Sequence, residues 1–219
     1  MNKQELGNQD KKEKARELTE DEKKRLKDFE ELADRMVQQG YCRVELTVSI
    51  IKANWFAILL LIPLFVVGGG LFYLKNRGLG DERLISSLLI FFGAYLVLIV
   101  VHELIHGVSW SLFAEHHWKD IAFGFMKQYM TPYCSCRVPL SKGQYIFGAL
   151  MPLILLGIVP MLVGILIGSW LITLLGIVMA DAAAGDILIV WNLLKYRSEA
   201  KEIVYMDHPT QAGGVVFEK

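Results

Sequence analysis

The chain has 219 residues, of which 53% are hydrophobic, and its mean hydropathy of +0.37 is too apolar for an ordinary soluble domain. Its 23 basic and 23 acidic residues cancel, so overall charge argues against a nucleic-acid partner. Cys42, Cys134 and Cys136 are odd in number and irregular in spacing, a poor disulfide framework and the pattern of reduced thiols facing the cytoplasm.

Residues 1–18 are polar and expected to be disordered, with no apolar core of a secretory signal, so the first span is expected to serve as the insertion signal. "TEDE" then places Thr19 at an N-cap and Glu22 at N3, a capping box. Leu26, Phe29, Ala33, Met36 and Val37 recur at helical spacing until Gly40. This predicts an amphipathic, heavily charged helix lying against the membrane or the rest of the protein. Residues 1–40 therefore form a charged N-terminal tail and helix, and 41–219 a membrane-embedded domain. "YCRVELTVS" (41–49) alternates as a strand does.

"NWFAILLLIPLFVVGGGLFYL" (54–74) has the length needed to cross a hydrocarbon core of roughly 30 Å. Pro63 and Gly68–Gly70 are expected to kink it or to allow close helix approach. A second apolar run, from about Leu84 to Ala114, exceeds that thickness, so its last turns reach an interface or a water-filled pocket. Residues 115–143 hold two β-like pieces, at 121–126 and 133–140, around a polar connection, predicted to form a hairpin at the membrane surface. Two more apolar runs, 145–168 and 170–196, are separated only by Ser169; a polar tail follows, with a last strand at 214–218.

The fold class expected is an all-α polytopic membrane protein of about four transmembrane helices with a small β-hairpin between the second and third. Lys119, Lys127, Arg137 and Lys142 in the loop, and Lys195, Arg197 and Lys201 at the tail, favour a multi-pass cell-membrane protein with both termini in the cytoplasm. Lys75, Arg77 and Arg83 in the first connection run against that rule, partly offset by Asp81 and Glu82.

The chemistry concentrates in "VVHELIHGVSW" (100–110). His102, Glu103 and His106 spell H-E-x-x-H; on a helix, residues four apart share a face, so both imidazoles can reach one metal ion. Glu103 occupies a neighbouring position, suited to act as general base on a water held by that metal. Ionisable groups inside a bilayer cost roughly 2.5–3.5 kcal/mol each on insertion scales, so three in five residues call for a compensating function. Gly107, directly after, lets another backbone pack close. A catalytic zinc takes three protein ligands. Asp186, in "AAAGDILIVWNLL", is the first choice for the third and Asp181 the second, because five residues of helix turn the two some 140° apart unless the helix breaks. His116 and His117 are expected in solvent. Cys134 and Cys136 lack further ligands for a second metal site, and His208, before Pro209, is read as a turn residue.

The order "HELIHG … Y-C … P-L … A-L-M-P … G-D … D-H-P" resembles a bacterial domain-of-unknown-function family described as putative zincin peptidases, over roughly residues 40–219. More distantly it resembles membrane-embedded zinc proteases of the site-2 type. The resemblance implies Zn2+ held by His102, His106 and Asp186, with Glu103 activating water. It also implies cleavage of peptide bonds of a membrane protein or peptide within or beside the lipid bilayer. Site-2 proteases carry an Asp-Gly pair where this chain has Gly185-Asp186, and the only asparagine of the segment, Asn192, follows it. The hairpin strands offer an edge to an unwound substrate by β-augmentation. The competing reading is a non-enzymatic membrane scaffold with a structural metal site. A transporter is disfavoured by only four spans without an evident inverted repeat.

Overall fold

The computed structural model describes residues 18–78, 84–126 and 131–219. The expected disorder of the N-terminal tail lies outside them, as do Lys127 and the charges at 81–83. Helix α1 (Glu20–Gln38) starts at the predicted capping box, with the Thr19 side chain accepting from the Glu22 N–H. It stops just before Gly40, whose φ of 92° lets the chain reverse into β1 (Cys42–Thr47).

Four apolar segments follow. α2 (Ile50–Asn76) runs through Pro63 without a break. α3 (Leu84–Ser111) is uniformly apolar until its last turns. α4 (Lys142–Ile167) widens to π-helical geometry over Leu153–Ile158, between Pro152 and Pro160, neither of which has an N–H for the ladder. α5 (Trp170–Ala182) and α6 (Ala184–Lys195) form a pair bent by 45° at Ala183. Three helices are long and apolar enough to span a membrane, or four if the bent pair counts as one span. α4 turns into α5 through Gly168, at φ 77°, and the cap residue Ser169. Beyond that turn the two helices touch at backbone distance, where a Cβ on Gly176 would meet the Met161 main chain.

The polar ends gather at one end of the bundle. β1 leads into α2; a 3₁₀ turn (His117–Asp120) and the hairpin β2 (Ile121–Met126) and β3 (Thr131–Cys136) join α3 to α4; β4 (Ile203–Asp207) and β5 (Gly213–Glu218) follow α6. β1, β5 and β4 form an antiparallel sheet in that order, so the molecule is mostly helical rather than all-α. β4 lies in the stretch read as a polar tail. Its "IVYMD" becomes a strand because β5 supplies a complete ladder, from Ile203–Glu218 to Asp207–Gly214. The hairpin forms as expected but ends at Cys136, and Leu140 bridges to Tyr205 instead.

β5 explains how this cap holds together. Val216 faces the bundle, where it packs with Tyr145, Leu193 and Tyr205. Val215 and Phe217 face the other way, onto Phe29, Ala33 and Met36 of α1. The strand is buried on both faces, as its near-continuous apolar sequence requires. The apolar stripe of α1 thus covers the sheet, and Arg43 of β1 reaches Glu30 at 2.8 Å. At the far end of the bundle Lys75 donates to the Leu166 carbonyl at 2.8 Å, so this cation of the first connection caps a helix C-terminus.

Candidate metal centre

His102 and His106 sit one turn apart on α3, and both are buried. From residue 106 to the end of α3 is about 8 Å at 1.5 Å per residue, so the pair lies near the cap end of that helix. Their ring nitrogens converge: His102 Nε2 and His106 Nε2 are 3.1 Å apart. Asp186 completes the group, with its carboxylate oxygens 3.2 Å from His102 Nε2 and 3.4 Å from His106 Nε2. Among the described residues this is the one group of three histidine, cysteine or acidic side chains that could hold a metal ion.

The break at Ala183 makes the arrangement possible. It puts Asp186 in the first turn of α6, where the helix N-terminus favours a carboxylate. Ala183 and Ala184 are fully buried, so small side chains let α6 come close. Asp181, in the last turn of α5, stays out of the group; its Oδ1 is buried without a hydrogen-bond partner among the described residues.

Hydrogen bonding fixes the donor set. His106 Nδ1 lies 2.9 Å from the Gly148 carbonyl, so that nitrogen carries a proton and Nε2 is the one left to offer a lone pair to an ion. Gly148 does a second thing. A Cβ there would run into the Trp110 indole, so glycine lets Trp110 stack on His106 at 5.1 Å and 14°. A lone pair aimed at another imidazole nitrogen and at a carboxylate oxygen is repelled unless a proton or a metal cation stands between them. Ligands about 2.0–2.1 Å from a tetrahedral zinc are about 3.3 Å apart, the spacing of these donors.

Glu103 lines the same cavity of about 240 Å³ as the three donors. Its carboxylate accepts a backbone hydrogen bond from Cys134. Beside the cluster runs a second polar network. Trp110 Nε1 donates to the Tyr145 carbonyl at 3.1 Å, Tyr145 Oη donates to Asp207 at 2.5 Å, and the Cys136 N–H donates to Asp207 at 2.8 Å. Burial outweighs these donors and raises the Asp207 carboxyl to about 6.

The other candidates stand apart. His116 and His117 are exposed, and His116 faces Asp120 at 3.4 Å. Burial pushes the Cys134 thiol well up and the Cys136 thiol to about 12, so both stay protonated at neutral pH. His208 is a turn residue, its Nδ1 accepting from Thr210 and Gln211 N–H groups, and it also lines the cavity. Gly107 faces side chains of β2, Phe123 and Ile121, rather than a backbone. Glu22, Arg25, Tyr145 and Asp207 also line the cavity, and no local metal or catalytic motif marks them as site residues.

Residues 95–201 match the model of a family described as putative zincin peptidase. The stretch holds H-E-x-x-H and Asp186, supports the family-level resemblance, and points to a zinc metallopeptidase in general; it is narrower than the 40–219 expected. No curated protein and no solved structure gives a match.

Proposed function

We propose that this protein is a zinc-dependent membrane endopeptidase that hydrolyses peptide bonds of membrane-protein substrates at, or just inside, the bilayer surface. The observation that carries the reading is the convergence of His102, His106 and Asp186 at tetrahedral spacing beside Glu103. In this reading the three side chains hold the ion. Zinc supplies a Lewis acid that polarises a carbonyl and brings the pKa of water toward 7.

The chain's own residues do the rest. Glu103 takes a proton from the attacking water and passes it to the leaving amine, which balances the hydrolysis. The Cys134 N–H orients its carboxylate. The Gly148 carbonyl holds His106 in the ligating tautomer. Residues of the cap line the cavity, where water is available in this reading, and the basic residues near the cap support a cytoplasmic side shared with both termini.

Substrate pairing along β3 meets a geometric obstacle. On its outer edge Pro132 has no N–H, and those of Cys134 and Cys136 are engaged by Glu103 and Asp207. That edge has no donor left for a substrate strand, so side-chain contacts in the cavity govern recognition.

The test is metal analysis of the purified protein beside His102→Ala, together with the hydrolytic activity of Glu103→Gln. Wild type should carry one zinc per chain, His102→Ala none, and Glu103→Gln should keep its zinc while losing cleavage by about 10²–10⁴-fold. Zinc bound equally by His102→Ala, or undiminished cleavage by Glu103→Gln, sinks the reading.

A further inference from the structure

The cavity over the metal cluster has a charged roof that the hydrolytic step does not use. The first turns of α1 form part of it, and Glu22 and Arg25 both line the cavity. Of the cavity's lysine and arginine side chains among the described residues, Arg25 is the single one.

Every acid that shares the cavity has its own donors. Asp186 has two imidazoles, and Asp207 has the Tyr145 hydroxyl and the Cys136 N–H. Glu103 has the Cys134 N–H. Glu22 accepts from the Thr19 N–H at 2.9 Å and the Thr19 hydroxyl at 3.2 Å. Among the described residues no carboxylate pairs with Arg25, and none gives its buried Nε a hydrogen-bond partner.

The guanidinium is nonetheless held in place. It lies over the Tyr133 ring, 4.5 Å from the centroid. Tyr133 stands opposite Gly124 in the hairpin, and a methyl group at 124 would run into the Tyr133 hydroxyl. Glycine in the middle of β2, a residue that weakens a strand, therefore makes room for the ring on which Arg25 rests. A planar cation, stacked on an aromatic face with donors unused, is arranged for bidentate contact with a carboxylate.

We propose that Arg25 anchors a carboxylate of the substrate, so that the cleft selects peptides with an acidic group close to the scissile bond, on a side chain or at a free C-terminus. The proposal rests on the peptidase reading for its substrate class. Arg25 is a specificity residue here; it takes no part in moving protons. The anchor belongs to α1, so the charged N-terminal helix is part of the substrate site.

Binding to the zinc-loaded, full-length Glu103→Gln protein in detergent tests this without turnover. The probes are three acetylated hexapeptides: hexaalanine with a free carboxyl terminus, the same peptide as its amide, and the amide with glutamate at the fourth position. At least one acidic peptide should bind about ten- to a hundredfold more tightly than the neutral amide, the effect of a charge-assisted hydrogen bond. Which acid gains identifies a terminal or a side-chain carboxylate. Arg25→Gln in the same background should level the three affinities, and Arg25→Lys should keep the preference at reduced size. Equal binding of all three, no binding of either acid at millimolar concentration, or a preference that survives Arg25→Gln overturns the anchor. The zinc content of the same preparation reports separately on the peptidase reading: a protein that selects acids but holds no zinc overturns that reading and leaves Arg25 an anion site.

Discussion

Asp186 and Asp207 are two partly buried carboxylates that line one cavity, and each has two close polar partners. At Asp207 the partners are a phenol hydroxyl and a backbone N–H, both of which bring protons. At Asp186 they are imidazole nitrogens, one of which has its proton on the far side, committed to Gly148. The first network is complete as it stands; the second has lone pairs in excess unless its imidazoles take up a further proton, and a metal ion can take that proton's place. Buried polarity that satisfies itself is architecture, whereas buried polarity short of positive charge is a binding site for a cation.

Exchanging the two acids for neutral residues should separate these roles, and this is the largest expected effect. Asp186→Ala removes one donor of three and should abolish zinc retention through dialysis, read by elemental analysis. Asp207→Asn should keep the zinc and lower stability by about 1–3 kcal/mol, the cost of a buried group left without its partner, read by thermal denaturation in detergent. Full metal occupancy in Asp186→Ala would erase the distinction.

The same comparison has a pH signature. The Asp207 carboxyl ionises near 6 in the folded protein against 3.8 ordinarily, because burial disfavours the charged form. Between those values the folded state binds more protons than the unfolded one. Stability from this group is therefore fully present below about pH 3.8 and falls as pH rises through 6, by at most about 3 kcal/mol. The melting temperature of wild type minus that of Asp207→Asn should decline from pH 4 to pH 6.5 and level off above. A difference that is flat, or that rises, would show Asp207 to be ionised throughout.

What was legible in the sequence follows from how local each feature is. The spacing of His102 and His106 is one helical turn, so their shared face can be read without any fold. A carboxylate such as Asp186 in an apolar run is conspicuous for its cost. The break at Ala183 has no proline to announce it, and only the break decides on which side Asp181 falls. β4 escaped because "IVYMD" is short and its partner β5 shapes it. The Tyr145–Asp207–Cys136 network joins residues 62 and 71 positions apart, beyond any local pattern. Arg25 was hidden among the many charges of α1, where sequence gives no reason to prefer one arginine over its neighbours; only the docking of α1 onto the sheet turns it toward the cavity.

The smallest effect is expected where the two networks meet. Gly148 offers its carbonyl to His106 and its bare Cα to the Trp110 indole, which in turn donates to Tyr145. Gly148→Ala adds one methyl group at a contact with rigid indole atoms, so Trp110 must move and the stack on His106 must open. All three metal donors remain, and only the orientation of one imidazole is disturbed. Zinc affinity, measured by competition with a chelator, should fall about 10–100-fold, the range for loss of an outer partner of a ligand. The network on Asp207 should feel the change only through Tyr145, so the pH-dependent difference in melting temperature should keep its shape. If affinity is unchanged while that pH dependence disappears, Gly148 serves the architecture and the orientation of His106 comes from elsewhere.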